Sequence, residues 1–232
     1  MTSDDLDQLK KAAATEAAEF IRNGMVVGLG TGSTAKHMIR ALGEKVRAGM
    51  SLRGVPTSQE TAALAKQAGI PLLDADNRWE IDVAIDGADQ VDPQLNLIKG
   101  GGGALLKEKI VAASAKQFIV VVDHTKQVPI LGGSFPLPIE VIPFGWGSTA
   151  REIGSLTKSR VVLRERNGGP FLTEAGHFIV DVHLDCITQP GELETALNLI
   201  PGVVETGLFV GRTDVLIIGT PQGVRTVSAP GK

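Results

Sequence analysis

A single cysteine, Cys186, rules out an intrachain disulfide, and such sparing use fits a reducing compartment. The expected place for its side chain is that of a small buried hydrophobe. Basic excess is missing too. A formal charge of -3 and a pI near 5.8 lack the footprint of a nucleic-acid binder. No apolar run approaches the roughly 20 residues that a membrane helix needs. The opening "MTSDDLDQLKK" is acidic and polar where a signal peptide is basic and then apolar. Internal repeats and low-complexity tracts are absent. These absences exclude nucleic-acid and membrane partners and point to a cytoplasmic, soluble protein. What is present is ordinary for a globular chain: 43% hydrophobic and 21% charged residues in a length of 232. That is enough for one large domain or two small ones.

Along the chain, Leu6, Leu9, Ala13, Ala17, Phe20 and Ile21 recur at helical spacing, which predicts a helix over 5–22. "GMVVGLG" reads as a short buried strand and "STAKHMIRALGEKV" as a helix. "LRGVPTS" and "QETAALAKQAG" repeat that unit. "EIDVAIDGAD" is a third strand, "LNLIKGGGG" a fourth, "ALLKEKIVAASA" a helix and "QFIVVVDHTK" a strongly apolar strand. Continuous apolar strands alternating with helices indicate a mostly parallel sheet covered on both faces. The pattern changes near residue 130. Strand 139–142, helix 148–157, strand 160–166, strand 177–184, helix 191–199 and strand 203–206 follow, the βαββαβ order of a ferredoxin-like unit. "DVLIIGT" is a further buried strand and is expected to return to the first sheet.

Four segments carry chemistry. "GLGTGSTA" (28–35) follows a strand and opens a helix, where backbone N–H groups attract an anion and Ser33 or Thr34 can cap the terminus. A dinucleotide site wants an acidic residue about 20 positions on. "LRGVPTS" supplies none, and the lysine of a P-loop is missing as well. A small phosphate ester fits "TGST" better. "DGADQVD" (86–92) sits at a strand's carboxyl end, where Asp86 and Asp89 can share a cleft or simply make a turn. A calcium loop is excluded, since the twelfth position from Asp86 is Leu97.

"KGGGGALLKEKI" places Lys99 and four glycines before a helix. Backbone without side chains can approach a ligand closely and offer it N–H donors. Glu108 has Ala104, Leu105, Val111 and Ala112 as helical neighbours, a setting that desolvates a carboxylate and suits a general base. Lys107 and Lys109 have apolar neighbours too, so an exposed "KEK" ridge reads equally well. In "HFIVDVHLD", His177, Ile179, Asp181, His183 and Asp185 share one strand face, which reads as a wet face rather than a metal site.

The motifs "GLGTGSTA", "VPTS", "DGAD", "KGGGGALLKEKI", "DHTKQVPILG" and "IPGVVETGLF" together resemble the ribose-5-phosphate isomerase A family, in order and over nearly the whole chain. The resemblance implies interconversion of D-ribose 5-phosphate and D-ribulose 5-phosphate in the pentose phosphate pathway, without metal or organic cofactor, by a homodimer or homotetramer. It implies an α/β fold: a Rossmann-like, mostly parallel sheet domain (1–130 and 207–232) plus a smaller ferredoxin-like α+β domain (131–206). By resemblance Glu108 is the base, and Asp86, Asp89 and Lys99 surround the sugar oxygens. Thr31, Gly32, Ser33, Thr34, Gly87, Ala88, Gly100, Gly101, Gly102 and Lys126 make substrate contacts, with Lys10 a further phosphate contact. Gln90 departs from the family's usual glutamate. An amino-sugar-phosphate deaminase also uses a "GTGST"-like loop, but its catalytic histidine arrangement is not evident. A sugar-phosphate sensor would normally carry a DNA-binding domain, and none is read here.

Overall fold

The computed structural model describes residues 2–75 and 78–229. In chain order the elements begin with α1 (Ser3–Ala18), β1 (Val26–Leu29), α2 (Ser33–Arg47), β2 (Arg53–Pro56), α3 (Gln59–Gln67) and β3 (Ile81–Asp86). The short β4 (Gln90–Val91) and β5 (Leu97–Ile98) precede α4 (Leu105–Ala113) and β6 (Ala115–Asp123). Next come β7 (Leu137–Val141), α5 (Trp146–Thr157), β8 (Arg160–Leu163), β9 (Glu165–Arg166), β10 (Gly169–Pro170) and β11 (Phe178–His183). The chain closes with α6 (Pro190–Asn198), β12 (Val203–Thr206), β13 (Leu208–Phe209), β14 (Val215–Thr220) and β15 (Gly223–Ser228).

The opening helix begins earlier and ends earlier than its periodicity predicts. Thr2 caps it in a reciprocal pair with Asp5. After Ala18 the N–H groups of Phe20 and Ile21 bond three residues back, so the last turn tightens and stops.

Two compact units emerge, 1–88 with 107–126 and 212–232, and 89–106 with 127–211. The first holds a six-stranded sheet in the order β2-β1-β3-β6-β14-β15, parallel except for β15. Alternate residues Val27, Leu29, Val83, Ile85, Ile119, Val121, Val215 and Ile217 bury against Ala13, Ala14 and Ala17 of α1 and Met38 and Leu42 of α2. The intervening Ala84, Val120 and Leu216 are buried as well. This is why these strands read as continuous apolar runs.

In the second unit β7, β8, β11 and β12 form an antiparallel sheet ordered β12-β7-β11-β8, with α5 and α6 in the crossovers. That is the ferredoxin-like arrangement. "LNLIKGGGG" does not join the parallel sheet as expected. Its strand β5 pairs with β4 and β13 in a small antiparallel sheet, and Lys99 N–H donates to Gly207 O at 2.8 Å. Residues 89–106, 127–130 and 207–211 therefore cluster with the second unit, although the sequence assigns them to the first.

Cys186 is exposed, not buried. The bridge between Leu131 and Ile187 turns Ile187 inward, and alternation turns its predecessor out. Nor is the polar face of "HFIVDVHLD" simply wet. Ile179 is buried with Leu105 and Phe171, His177 meets Glu140, and Asp181 is paired with Arg164. Among the described residues no helix is long and apolar enough to cross a membrane.

Candidate active site

In the first unit β1 has β2 on one side and β3 on the other, so the connections leaving β1 and β3 part in opposite directions. Ligands of open α/β sheets bind at the carboxyl ends of strands beside such a switch point. There the "TGST" loop leaves β1 and the "DGAD" turn leaves β3. Gly30 N–H donates to Ile85 O at 3.0 Å, joining the two. Asp86 is 4% exposed, and its Oδ1 accepts from Gly87 N–H at 2.7 Å and Thr31 N–H at 3.2 Å. Gly30 is required by this approach. A Cβ there would lie 2.2 Å from Asp86 Oδ1 and 2.7 Å from the Asp86 Cα.

Neither Ser33 nor Thr34 caps α2, contrary to expectation. Gly32 is the N-cap, at φ 102°, and among the described residues no side-chain cap bonds the helix terminus. That terminus keeps the partial positive charge that attracts anions. The Ser33 hydroxyl accepts from Lys10 Nζ at 3.3 Å. Lys10 also lies 3.9 Å from Asp123 Oδ2. Asp123, almost fully buried at the end of β6, bonds Thr125 N–H and Oγ1 and so fixes the turn that carries Lys126.

Thr31 turns its hydroxyl toward the segment that leaves the neighbouring β2, reaching Thr57 at 2.7 Å, Ser58 at 2.9 Å and Thr61 at 3.3 Å. Thr61 in turn donates to Gly30 O at 2.8 Å, and Ser58 caps α3. The "VPTS" segment thus ties the loop down through hydroxyls. Sequence reading found the motif without this role, because its partners lie about 30 residues apart.

Glu108 stands in the first turn of α4 and is 6% exposed; Lys109 is buried beside it and Lys107 is half-buried. The exposed-ridge reading of "KEK" is therefore excluded.

In the second unit Lys99 is 3% exposed, and its ammonium lies 5.5 Å from the centre of the Phe209 ring. The four glycines form a tight turn. Gly100 and Gly103 take φ of 106° and 88°, and Gly103 N–H donates to Gly100 O at 3.0 Å. Gly101 N–H donates to Asp89 Oδ2 at 2.8 Å. Of the four N–H groups, that of Gly103 is therefore spent inside the turn and that of Gly101 on Asp89, while a Cβ on Gly102 would meet nothing within 4 Å. The departing Gln90 is buried and embraces Gly132, donating to its O at 2.9 Å and accepting from its N–H at 2.8 Å. A glutamate could accept there but not donate. Among the described residues no group of three or more His, Cys, Asp or Glu is placed to hold a metal ion.

Comparisons with known proteins agree on one family. The sequence profile of Ribose 5-phosphate isomerase A (phosphoriboisomerase A) matches residues 53–223. Ribose-5-phosphate isomerase A of Nitrobacter hamburgensis is 52% identical, over 96% of this chain and 98% of its own. That of Bradyrhizobium diazoefficiens is 49% identical, over 96% of both. A solved D-ribose-5-phosphate isomerase in complex with phospho-erythronic acid superposes with a TM-score of 0.93 at 46% identity, covering 96% of this chain and 99% of that one. Ribose 5-phosphate isomerase A from Methanocaldococcus jannaschii gives 0.91 at 43%, covering 95% and 98%. With its anion-ready loop, its buried carboxylates and relatives matched end to end, the chain belongs to the ribose-5-phosphate isomerase A family.

Proposed function

We propose that the chain is a ribose-5-phosphate isomerase, an aldose-ketose isomerase that interconverts D-ribose 5-phosphate and D-ribulose 5-phosphate in the non-oxidative pentose phosphate pathway. The observation that carries this reading is the near-complete match, at 49–52% identity, to curated isomerases. The phospho-erythronic acid held by a solved relative supports a small sugar phosphate as substrate.

The reaction must open the sugar ring, remove a proton beside a carbonyl and return it to the neighbouring carbon. One carboxylate can do both transfers on one face through a cis-enediolate, and Glu108 is assigned that task. General-base help supplies only about 10²–10⁴ in rate. The developing oxyanion therefore needs its own stabilisation, assigned to Lys99 and, among the glycines, to Gly102 N–H. Asp86 or Asp89 moves the ring-opening proton. The amides of α2, with Ser33, Thr34, Lys10 and Lys126, take the phosphate and so supply remote binding energy, while Thr31 holds their loop in place. Gly32, Gly87, Ala88, Gly100 and Gly101 line the substrate with backbone. The working form is a homodimer or homotetramer in the cytoplasm.

The test is conversion of ribose 5-phosphate, measured in excess EDTA, by the wild type and by Glu108→Gln. Wild-type turnover is expected to persist with chelator, and kcat of the variant to fall more than roughly 10²-fold at little change in KM. Wild-type-like turnover by Glu108→Gln removes Glu108 from the mechanism. Activity lost only with chelator makes the enzyme metal-dependent.

A further inference from the structure

Arg164, between β8 and β9, and Asp181, on β11, were not among the expected functional residues, yet both bear on the glycine turn. Both side chains are largely buried, 14% and 17% exposed. Asp181 grips the guanidinium side-on, Oδ2 taking Nε at 2.9 Å and Oδ1 taking Nη2. This bidentate grip fixes the plane of the guanidinium. Nη1 is thereby aimed at the turn, donating to Gly100 O at 2.7 Å and to Gly101 O at 3.2 Å.

What those two bonds fix follows from peptide geometry. A trans peptide is planar, and its C=O and N–H point in opposite directions. Holding Gly100 O sets the direction of Gly101 N–H, which is the group that binds Asp89 at 2.8 Å. Holding Gly101 O sets the direction of Gly102 N–H, away from Arg164. Glycine has no side chain to limit the rotation of these peptides, so the turn needs an outside hold. A buried guanidinium is a costly choice for bracing two carbonyls, and Asp181 offsets its charge. The effect is therefore geometric rather than one of added field.

We propose that Arg164, oriented by Asp181, is a positioning residue for the isomerisation. It locks two peptide planes of the glycine turn so that Asp89 is held in place and Gly102 N–H is aimed to receive developing negative charge. The proposal rests on assigning Asp89 and this turn to the active site.

The test uses the purified full-length enzyme. Arg164→Ala is expected to lower kcat about 10- to 100-fold, the scale of a misplaced catalytic group, with KM changed less than about threefold, since phosphate contacts lie elsewhere. Guanidinium ion, added well below denaturing concentrations, is expected to restore part of the lost kcat by reoccupying the space against Asp181. It should not do so in Arg164→Ala/Asp181→Asn. A merely structural arginine would give neither the kcat-selective loss nor the rescue. Wild-type kcat in Arg164→Ala, or a loss that guanidinium leaves untouched, overturns the role. Should Arg164→Ala fail to fold, Asp181→Asn decides: a fall in kcat of several-fold supports the proposal and an unchanged kcat overturns it. Gly102→Ala separates this inference from the reading beneath it, because the position has room for a methyl group. Wild-type turnover by Gly102→Ala would place the turn outside the active site. Impaired Gly102→Ala beside unimpaired Arg164→Ala would remove the positioning role alone.

Discussion

The glycine-containing segments 30–34 and 100–103 both bring backbone close to carboxylates, but they are held by different means. The first is anchored by the sheet. It leaves β1 at the carboxyl edge, bonds to β3 through Gly30 and Asp86, and is tied down by neutral hydroxyls from the next strand and helix. The second follows a strand of only two residues, and its hold is an ion pair contributed from more than 60 positions along the chain. A parallel sheet fixes the loops at its strand ends as a by-product of its own hydrogen bonding. A turn without such a frame needs a dedicated brace.

The comparison is broken most severely at Gly30. Gly30→Ala places a methyl group on Asp86 and its backbone, where neither can retreat from the core of the sheet. Steady-state assays should show kcat/KM down by roughly 10²-fold, with the fold retained by circular dichroism. Near-normal activity would mean the loop tolerates movement that its bonds argue against.

In the second turn the matching change is Gly103→Ala. The residue has φ 88°, and its Cβ would meet the Phe171 ring at 2.4 Å. Left-handed strain and overpacking together should cost about 1–3 kcal/mol, read in denaturant unfolding, with a smaller loss of kcat than Gly30→Ala. A larger catalytic loss here than at Gly30 would invert the ranking of the two turns.

The smallest effect is expected at the sheet's opposite edge. Lys116 Nζ bonds Asp82 at 2.7 Å, and Val26 N–H bonds it at 2.9 Å; together they hold the Asp82 carboxyl below its ordinary range. A depressed carboxyl stabilises the fold above its unfolded pKa, about 3.9, and that contribution is lost as pH falls through the depressed value. Lys116 is shifted upward, chiefly by the same hydrogen bond with Asp82. Its contribution is complete below about pH 10.4 and is lost as pH rises through the raised value. Asp82→Asn should therefore lower Tm by no more than about 2 °C between these limits, with no difference in strong acid. Its kcat should equal that of the wild type. A change in kcat would show that the amino edge of the sheet is coupled to the site.

Much of the architecture is legible in the sequence. Apolar strands buried on both faces reveal themselves through composition, and the βαββαβ spacing of the second unit does so through period. The placement of β5 did not. A two-residue strand carries too little pattern to say which sheet it joins, and β13, its partner, lies over 100 residues away. Exposure of Cys186 was missed for a similar reason, since one bridge to Leu131 sets which way the segment faces. Resemblance, rather than periodicity, separated Glu108 from Lys107 and Lys109. Burial of Glu108 then removed the exposed-ridge reading, without separating it from the equally buried Lys109.

By itself the sequence determined the main helices, the strands buried on both faces and the chemical segments, though not the exposed edge strand β15 or two-residue strands such as β4 and β10, because local spacing and residue type encode which backbone can be bare and which strands must be dry. Only the tertiary structure decided how the bare backbone is aimed. The orientation of a peptide plane in a glycine run is nearly free locally, and it is set by donors from distant parts of the chain, as Arg164 does for Gly100 and Gly101.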